Sequence, residues 1–464
     1  MAVFAILTGR PALLPAGAGA RLALCGLLTA AAAAFPLPAA SAGLAEIVRL
    51  ARDNDPQFAA ARAAAEALRE RLPQARALML PSVALNANAN RNETDATLLG
   101  TSTPFLQPGR RDFNSSALSL QVTQPIYRRA NRIQLDQAGA QIRQSELQLQ
   151  TAAQDMILRA AQAYFDVLGA EDTLALIEAQ KSAIGEQLAI SKRSFEVGSA
   201  TIVDFNEARA RYDLVTAQGV VAVNELEYRR RALGELIGTA PPTLRPLRDG
   251  ARPIPPQPTE VAHWVERARR DGLSVRLQEA ALEIATQEID RQRAGHQPTL
   301  DAVGSAGQAR SGASPTSAVG SDVTQFALGV QLNIPLYQGG AVQSRVREAL
   351  ATQTRVREEL EAARRSAALA ARAAFLGLTG GLEQVRALEA AMESNRVSLA
   401  STEVGLKVGV RTQVDVLNAQ QALFTTRRDL ALARNAALLA GLRLQAAVGE
   451  LDELDLAPVQ TLLR

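Results

Sequence analysis

Two segments of the chain alternate apolar and polar residues with a period of two, which is the pattern of a β-strand. In residues 324–334 the apolar side chains on one face are Phe326, Leu328, Val330, Leu332 and Ile334. Residues 114–124 repeat this pattern and end at Pro125, as the later segment ends at Pro335. Proline cannot donate a hydrogen bond to a sheet, so we expect both strands to end there.

Two further alternating segments, residues 82–92 and a weaker one at about 299–308, precede these strands and give each half of the chain one hairpin. The strands are close to the length that spans an outer membrane, although a soluble sheet with one buried face would show the same alternation. Four strands cannot close a barrel, and open edges in lipid leave backbone groups unpaired. If the strands enter a membrane, two or three chains must share them.

Long helices are expected elsewhere, because residues 126–240 and 336–457 contain no proline. The roughly 70 residues before Gly198 would extend about 100 Å as one helix at ~1.5 Å per residue. Apolar residues in this tract fit heptad positions and predict coiled-coil packing: Leu174, Ile177, Ile184, Leu188 and Phe195. Gly198 and Gly409 interrupt the two tracts and predict the turns of two helical hairpins, distant from the strands.

The chain is an internal duplication. Residues 195–204 match residues 406–415 at an offset of 211, and the match extends from Ala163 to Gly238. We therefore divide the chain into a first repeat at 43–240 and a second at 259–450, followed by a tail at 451–464. Seven prolines forbid a continuous helix between the repeats and indicate an extended connector at 241–258.

The N-terminus reads as a secretory signal peptide, residues 1–42. Arg10 and Arg21 precede an uncharged run, and the small residues Ala40-Ser41-Ala42 form a cleavage site. A retained membrane anchor is the alternative, and lipidation at Cys25 is disfavoured by the bulky Leu24 before it. Cys25 is the only cysteine, so the mature chain would contain no thiol.

The charged and reactive residues argue against catalysis and against nucleic-acid binding. The chain has 50 basic and 47 acidic residues, which are interspersed as on a solvated helix face. Only two histidines are present, His263 and His296, and no phosphate-binding or dinucleotide-binding motif occurs. We expect no enzyme activity, no catalytic residue, no metal and no cofactor, so energy for any transport must come from another protein.

The repeated tip sequences, Val197 to Ala208 and Val408 to Gln420, together with the strand-ending Gln-Pro-Ile-Tyr and Ile-Pro-Leu-Tyr, resemble the TolC family over essentially all of the mature chain. The resemblance implies a mainly α fold with a small transmembrane β part. Long coiled-coil hairpins would form a periplasmic α-barrel, and four strands per chain would contribute to a shared twelve-stranded β-barrel in outer-membrane lipid. It also implies a homotrimer that works with a periplasmic membrane-fusion adaptor and an inner-membrane ABC or other transporter.

The resemblance also assigns roles at the tip. Asp415 would form a three-fold ring of carboxylates that constricts the lumen and binds cations, although an aspartate here can equally cap its helix. Asn418 would lie at the same constriction, where relatives often carry a second acidic ring, so this departure should weaken the cation block. Asp204 and Arg411 match residues that hold the tip shut, but Val203 and Leu406 replace their polar partners. Six tip residues would receive the adaptor: Val197, Gly198, Thr201, Val408, Gly409 and Thr412.

The function that follows is an exit duct for type I protein secretion, as in the CyaE-type members that export an adenylate cyclase toxin. Relatives of the same architecture serve multidrug efflux pumps, and no residue here chooses between protein and small-molecule cargo. A soluble periplasmic coiled-coil adaptor is the alternative from another class, since its strands would form a sheet outside the membrane.

Overall fold

The computed structural model describes residues 41–97, 109–248, 250–315 and 317–464. Each half of the chain runs from short helices through a β-hairpin to a long helical hairpin. The elements are α1 Leu44–Asn54, α2 Pro56–Arg69, α3 Arg71–Ala77, β1 Ser82–Ala96, β2 Gly109–Tyr127, α4 Arg129–Glu196, α5 Ile202–Ile237, α6 Val261–Asp271, α7 Leu273–Arg293, β3 Thr299–Ser311, β4 Ser321–Asn333, α8 Ala341–Lys407, α9 Gln413–Ala447 and α10 Ala457–Thr461.

The predicted fold class is confirmed, because the chain is mostly helical and has four antiparallel strands. The strands form one sheet in the order β1-β2-β3-β4, and the two halves of the chain meet at the β2–β3 pair. Strands β1 and β2 extend beyond the predicted segments 82–92 and 114–124. Strand β4 ends at Asn333, before Pro335, but the expectation that β2 ends at Pro125 is wrong, because β2 continues to Tyr127. The register with β3 shifts between Pro125 and Tyr127, which accommodates a residue without an N–H donor. Within the described residues, β1 and β4 each pair along one edge only.

One face of the sheet is apolar. The register aligns Leu85 with Leu120, Leu120 with Ala306, and Ala306 with Phe326. On the other face, the next row consists of small or polar residues: Asn86, Ser119, Gly307 and Gln325. The apolar face is uncovered in a single chain, since Phe326 is 78% exposed and Leu328 is 79% exposed. An exposed apolar surface of this extent marks a contact with lipid or protein.

Ion pairs lie at one end of this apolar face and mark where it stops. Arg310 Nε lies 2.8 Å from Asp322 Oδ2, and Arg91 Nη2 lies 3.3 Å from Asp112 Oδ2. These side chains have the same strand parity as the apolar row, so they lie on the same face. The apolar residues of β4 from Phe326 to Leu332 cover about 20 Å along the strand at ~3.4 Å per residue.

A bidentate ion pair joins the sheet to the helices. Arg128, between β2 and α4, donates from Nε and Nη2 to the two carboxylate oxygens of Asp301 at 2.8 and 2.6 Å. Asp301 is 8% exposed and lies on β3, in the other half of the chain. The pair therefore fixes where the first long helix leaves the sheet, because a planar guanidinium fork constrains orientation as well as distance.

The helical hairpins are long because nothing in their sequences breaks the helix before the glycine turns. Helix α4 has 68 residues and α8 has 67. The heptad residue Ile184 is 2% exposed, with Ile177 and Leu188 packed beside it, and Val385 has the same role in the second hairpin. None of the helices in the described ranges is long and apolar enough to cross a membrane.

The largest core lies around the middle of α4, where both hairpins meet α1, the connector and the C-terminal residues. Tyr164 of α4 is fully buried there with Leu44, Leu233 and Leu456. Its hydroxyl donates a 2.7 Å hydrogen bond to the carbonyl of Arg245, in the proline-rich connector. Burial raises the pKa of Tyr164, so the hydroxyl stays protonated and remains a donor.

The signal peptide lies largely outside the described residues, which begin at Ser41. Ala42 is 1% exposed, and its N–H donates to the carbonyl of Thr243 at 2.8 Å. Arg245 donates to Ala42 O at 3.0 Å and to Ser41 O at 2.7 Å. Cleavage after Ala42, which stays a prediction, would remove all three of these hydrogen bonds.

Replacing Tyr164 with Phe should lower the free energy of unfolding by about 1 kcal/mol, because the Arg245 carbonyl loses its donor while the packing is kept. Urea unfolding in detergent, followed by circular dichroism, measures this change. Tyr228→Phe is the control, since Tyr228 is 64% exposed. Equal effects of the two changes would show that the buried hydrogen bond contributes nothing.

Candidate functional site: the tips of the helical hairpins

The two hairpins end in turns of the same construction. Gly198 and Gly409 have φ of 75° and 81°, a left-handed conformation that a side chain would strain. After each glycine the chain folds back onto its helix, with Ser199 N–H donating to Ser194 O at 2.8 Å and Val410 N–H donating to Gly405 O at 2.9 Å. The glycine therefore permits each long helix to reverse within a few residues.

The returning helices also begin in the same way. Thr201 and Asp204 form a capping box at the start of α5, and Thr412 and Asp415 form one at the start of α9. In the second, Asp415 Oδ2 accepts from the Thr412 backbone N–H and hydroxyl, both at 2.9 Å, while Asp415 N–H donates to the Thr412 hydroxyl at 3.3 Å. Each aspartate thus pairs helix-terminal groups that would otherwise lack partners.

The capping hydrogen bonds hold the Asp415 carboxylate in its charged form. Its pKa is lowered, first by the hydrogen bond from the Thr412 backbone, then by that from the Thr412 hydroxyl, and further by the nearby charge of Arg411. Asp415 therefore stays negative at neutral pH. Asp415 can cap its helix and also contribute to a ring of charge, because its side chain remains partly exposed in a single chain.

Exposed apolar side chains surround the turns. Val197 is 79% exposed and Val408 is 67% exposed, and both directly precede the turn glycines. Val203 and Val410 are also exposed. The predicted docking residues therefore form two similar apolar tips with open space at each glycine, where an added Cβ would meet no atom within 4 Å.

A polar clasp joins the two hairpins near their tips. Arg211 lies on α5, and its Nε donates to Glu207 Oε1 of the same helix at 3.0 Å. Its Nη2 donates to Asn418 Oδ1 at 3.2 Å and its Nη1 donates to Gln421 Oε1 at 2.7 Å, both on α9. Asn418, which is predicted to lie with Asp415 at the constriction of the lumen, is an acceptor for a basic residue of the other hairpin within one chain. Its place at the constriction stays a prediction.

Leu417 adds an apolar contact beside this clasp. It is 2% exposed and packs against a group on the first hairpin that includes Ile184, Ala208 and Val215. Sequence reasoning did not identify Arg211 or Leu417 as site residues. The spacing of four residues between Glu207 and Arg211 on one helix could have predicted an ion pair that orients the Arg211 guanidinium. The partners of Arg211 on α9 could not be predicted, because they depend on the packing between the hairpins.

Within a single chain, Asp204 and Arg411 make contacts on their own hairpins. The side-chain hydrogen bonds of Asp204 go to Thr201, on its own hairpin. Arg411 packs over Gly405, where an added Cβ would lie 2.7 Å from Arg411 Cγ. The structure shows no hydrogen bond from the Arg411 guanidinium within the described residues, so contacts with a neighbouring copy stay a prediction.

Reactive groups are sparse in the part of the chain that the structure describes. It contains no group of three or more His, Cys, Asp or Glu residues placed to hold a metal ion. His263 packs edge-on to Trp264 with ring centroids 6.5 Å apart. The described tips offer charge, exposed apolar surface and polar contacts between the hairpins.

Comparison with known proteins identifies the family. The outer membrane efflux protein family matches residues 47–239 and 264–450, which cover both repeats. The chain is 34% identical over 425 residues to the outer membrane protein TolC of Vibrio cholerae, with 91% of this chain and 94% of that protein covered. This chain belongs to the outer membrane efflux protein family. It is therefore an outer-membrane channel protein and not an enzyme.

Two further relatives bear on its cargo. The chain is 30% identical over 417 residues to the alkaline protease secretion protein AprF of Pseudomonas aeruginosa, covering 89% of this chain and 86% of that protein. Protein CyaE of Bordetella pertussis is 26% identical over 415 residues, covering 88% of this chain and 84% of that protein, so CyaE is a more distant relative. Family members serve both type I secretion and drug efflux, generally as trimers with an adaptor and an inner-membrane transporter.

The fold matches solved channels. The Campylobacter jejuni CmeC outer membrane channel has a TM-score of 0.73 at 16% identity, with 90% of this chain and 89% of that chain covered. The alternative of a soluble periplasmic adaptor is set aside, since family and fold are both those of outer-membrane channels.

The two capping aspartates allow the charge of the predicted ring to be tested apart from the cap. Asp415→Ala and Asp204→Ala each remove the equivalent half of a capping box, because the threonine hydroxyl can still accept from the backbone N–H of the substituted residue. Only Asp415→Ala should relieve block of single channels by multivalent cations, measured in planar bilayers. Because the pKa of Asp415 is lowered, block of the unaltered protein should be constant between about pH 5 and pH 8.

Equal relief of cation block in the two variants would assign the effect to helix capping. Unchanged block in Asp415→Ala would remove Asp415 from the constriction.

Proposed function

We propose that this protein is the outer-membrane exit duct of a type I protein secretion machine. Three copies would place twelve strands in one barrel, and each copy would supply two hairpins to a periplasmic tunnel. An adaptor would dock at the tips around Gly198 and Gly409, and an inner-membrane ABC transporter would supply the energy. The cargo would be an unfolded polypeptide.

The observation that favours protein cargo is the difference in sequence identity between this chain and relatives named for secretion or for efflux. AprF, a protease secretion protein, is 30% identical over 417 residues, and the proteases secretion protein PrtF of Dickeya chrysanthemi is 29% identical over 423. The toluene efflux pump protein TtgC of Pseudomonas putida is 22% identical over 309 residues. The sequence is thus more similar to these two secretion components than to that efflux component.

The polar face of the sheet is consistent with such cargo. Its side chains in the central rows are amides, hydroxyls and small residues: Asn86, Asn88, Ser119, Gln121, Ser305 and Gln325. If this face lines the barrel, the lumen there carries no fixed charge. A polypeptide of mixed charge would meet no fixed charge along this part of its path. Uncharged polar groups neither repel nor bind either sign of charge strongly.

Multidrug efflux is the second candidate. The family description names efflux, and the outer membrane efflux protein BepC of Brucella suis is 24% identical over 424 residues. An uncharged lumen would also pass small molecules.

Complementation separates the two functions. A strain that lacks its own duct receives this chain with either a protease-secreting transporter and adaptor or a drug pump and adaptor. We expect the protein to restore protease in the medium and to leave drug sensitivity unchanged. Restored drug resistance without protease secretion would support the efflux function instead.

The lipid-facing assignment of the apolar sheet face predicts opposite outcomes for two neighbouring substitutions on β4. Leu328→Arg places a charge on the apolar face and should cost about 2–4 kcal/mol near the middle of the bilayer. Gln325→Arg places the same charge on the polar face, where water is available. Assembly into heat-resistant oligomers in outer-membrane fractions should therefore fail only for Leu328→Arg, and equal assembly of both variants would contradict a membrane-facing sheet.

A further inference from the structure

One charged residue on the polar face of the sheet has no counter-charge. Within the described residues, charged side chains occupy only two strand positions on this face, Arg111 on β2 and Asp301 on β3. Asp301 is neutralised by its bidentate ion pair with Arg128. The Arg111 guanidinium makes no ion pair or hydrogen bond in the described part of the chain, so its positive charge is unbalanced there.

The register of the sheet places Arg111 on the polar face. Arg111 lies directly opposite Thr94, one row beyond Asn92, and side chains opposite each other on neighbouring strands share a face. Its sequence neighbours Arg110 and Asp112 have the opposite parity and therefore lie on the apolar face. Arg111 is partly buried, whereas both of these neighbours are exposed.

The strand carboxylates at this end of the sheet lie on the other face. All of them have the strand parity of the apolar row: Glu93, Asp95, Asp112 and Asp322. Arginines of that same face pair with three of them, so that Arg110 pairs with Glu93, Arg91 with Asp112 and Arg310 with Asp322. Every arginine on the apolar face of the described strands is therefore paired, and Arg111 is the exception among the strand arginines.

The segments that connect the strands at this end add no negative charge. Residues 97–108 join β1 to β2 and residues 312–320 join β3 to β4, and neither segment contains Asp or Glu. The polar residues beside Arg111 on its own face are also uncharged, and Asn92 Nδ2 donates to Ser115 Oγ at 2.8 Å. An arginine in such surroundings attracts anions from solution.

We infer that Arg111 forms an anion-binding ring in the lumen, at the end of the β-barrel that lies away from the helices. Arg111 lies near the start of β2, and the other end of β2 adjoins α4. This inference rests on the proposed trimer, which repeats Arg111 three times, and on the polar face lining its lumen. The three guanidinium groups would favour anions and repel cations at this mouth of the duct.

The dimensions of the proposed barrel allow one anion to contact more than one copy of Arg111. Twelve strands about 4.8 Å apart and tilted by about 40° form a barrel of about 12 Å radius, which separates the three Cα atoms by about 21 Å. Extended arginine side chains that point into the lumen bring the guanidinium groups closer than this. The ligand class is therefore a compact anion with several phosphate groups, since guanidinium groups bind phosphate oxygens in a bidentate manner.

Block of single channels by tripolyphosphate in planar bilayers tests the ring. The probe is added to each side of the membrane in turn, and it should block from one side, at the barrel mouth. Arg111→Gln should raise the blocking concentration roughly tenfold, because the charged donors are lost. Arg111→Lys should retain most of the block, since it keeps the charge. The matched control is Arg110→Gln, which removes the adjacent charge from the opposite face, where Arg110 pairs with Glu93.

Ion selectivity gives a second measurement on the same channels. In a gradient of potassium chloride, the reversal potential should shift toward cation selectivity in Arg111→Gln and stay unchanged in Arg110→Gln. Unchanged block and reversal potential in Arg111→Gln, or equal changes in the two variants, would overturn the inference. A monomer in detergent that forms no channels would contradict the proposed trimer itself, so failure of the assembly is distinguishable from failure of the anion site.

Discussion

The open edges of a four-stranded sheet are the constraint on which the rest of this molecule depends. The apolar face of the sheet demands a non-aqueous neighbour, yet a strand edge exposed to hydrocarbon costs several kcal/mol for each unpaired backbone group. Only closure with further strands meets both demands, and a single chain has none to add in the described residues. Copies of the chain must therefore associate so that the backbone groups at the sheet edges are paired. The helices then follow the same symmetry as the closed sheet.

Duplication supplies the second level of organisation. Two hairpins with matching glycine turns and capping boxes allow one chain to place two nearly equivalent helical arms around a common axis. Divergence between the copies then distinguishes the contacts. Leu417 and Arg211 bind the arms of one chain to each other, while Asn206 and Ala422 leave the equivalent contact without a clasp.

The sequence indicated the fold closely because its signals are local. Period-two alternation, proline-free tracts and glycine turns each determine structure within a few residues, and the offset of 211 links the two halves. The candidate site could be predicted less fully from the sequence. The capping role of Asp415 is local and was foreseen as an alternative, whereas the Arg211 contacts with Asn418 and Gln421 depend on how two distant segments pack. Arg128 and Asp301 are a similar case, since they lie 173 residues apart.

The number of chains in the purified assembly tests the central claim most directly. The mature protein, extracted in detergent, can be measured by light scattering with correction for bound detergent. A mass of three chains would give the twelve strands that close the barrel and the six hairpins of the tunnel. A stable monomer that stays dispersed without detergent would mean that the sheet edges never meet lipid, and it would contradict the account.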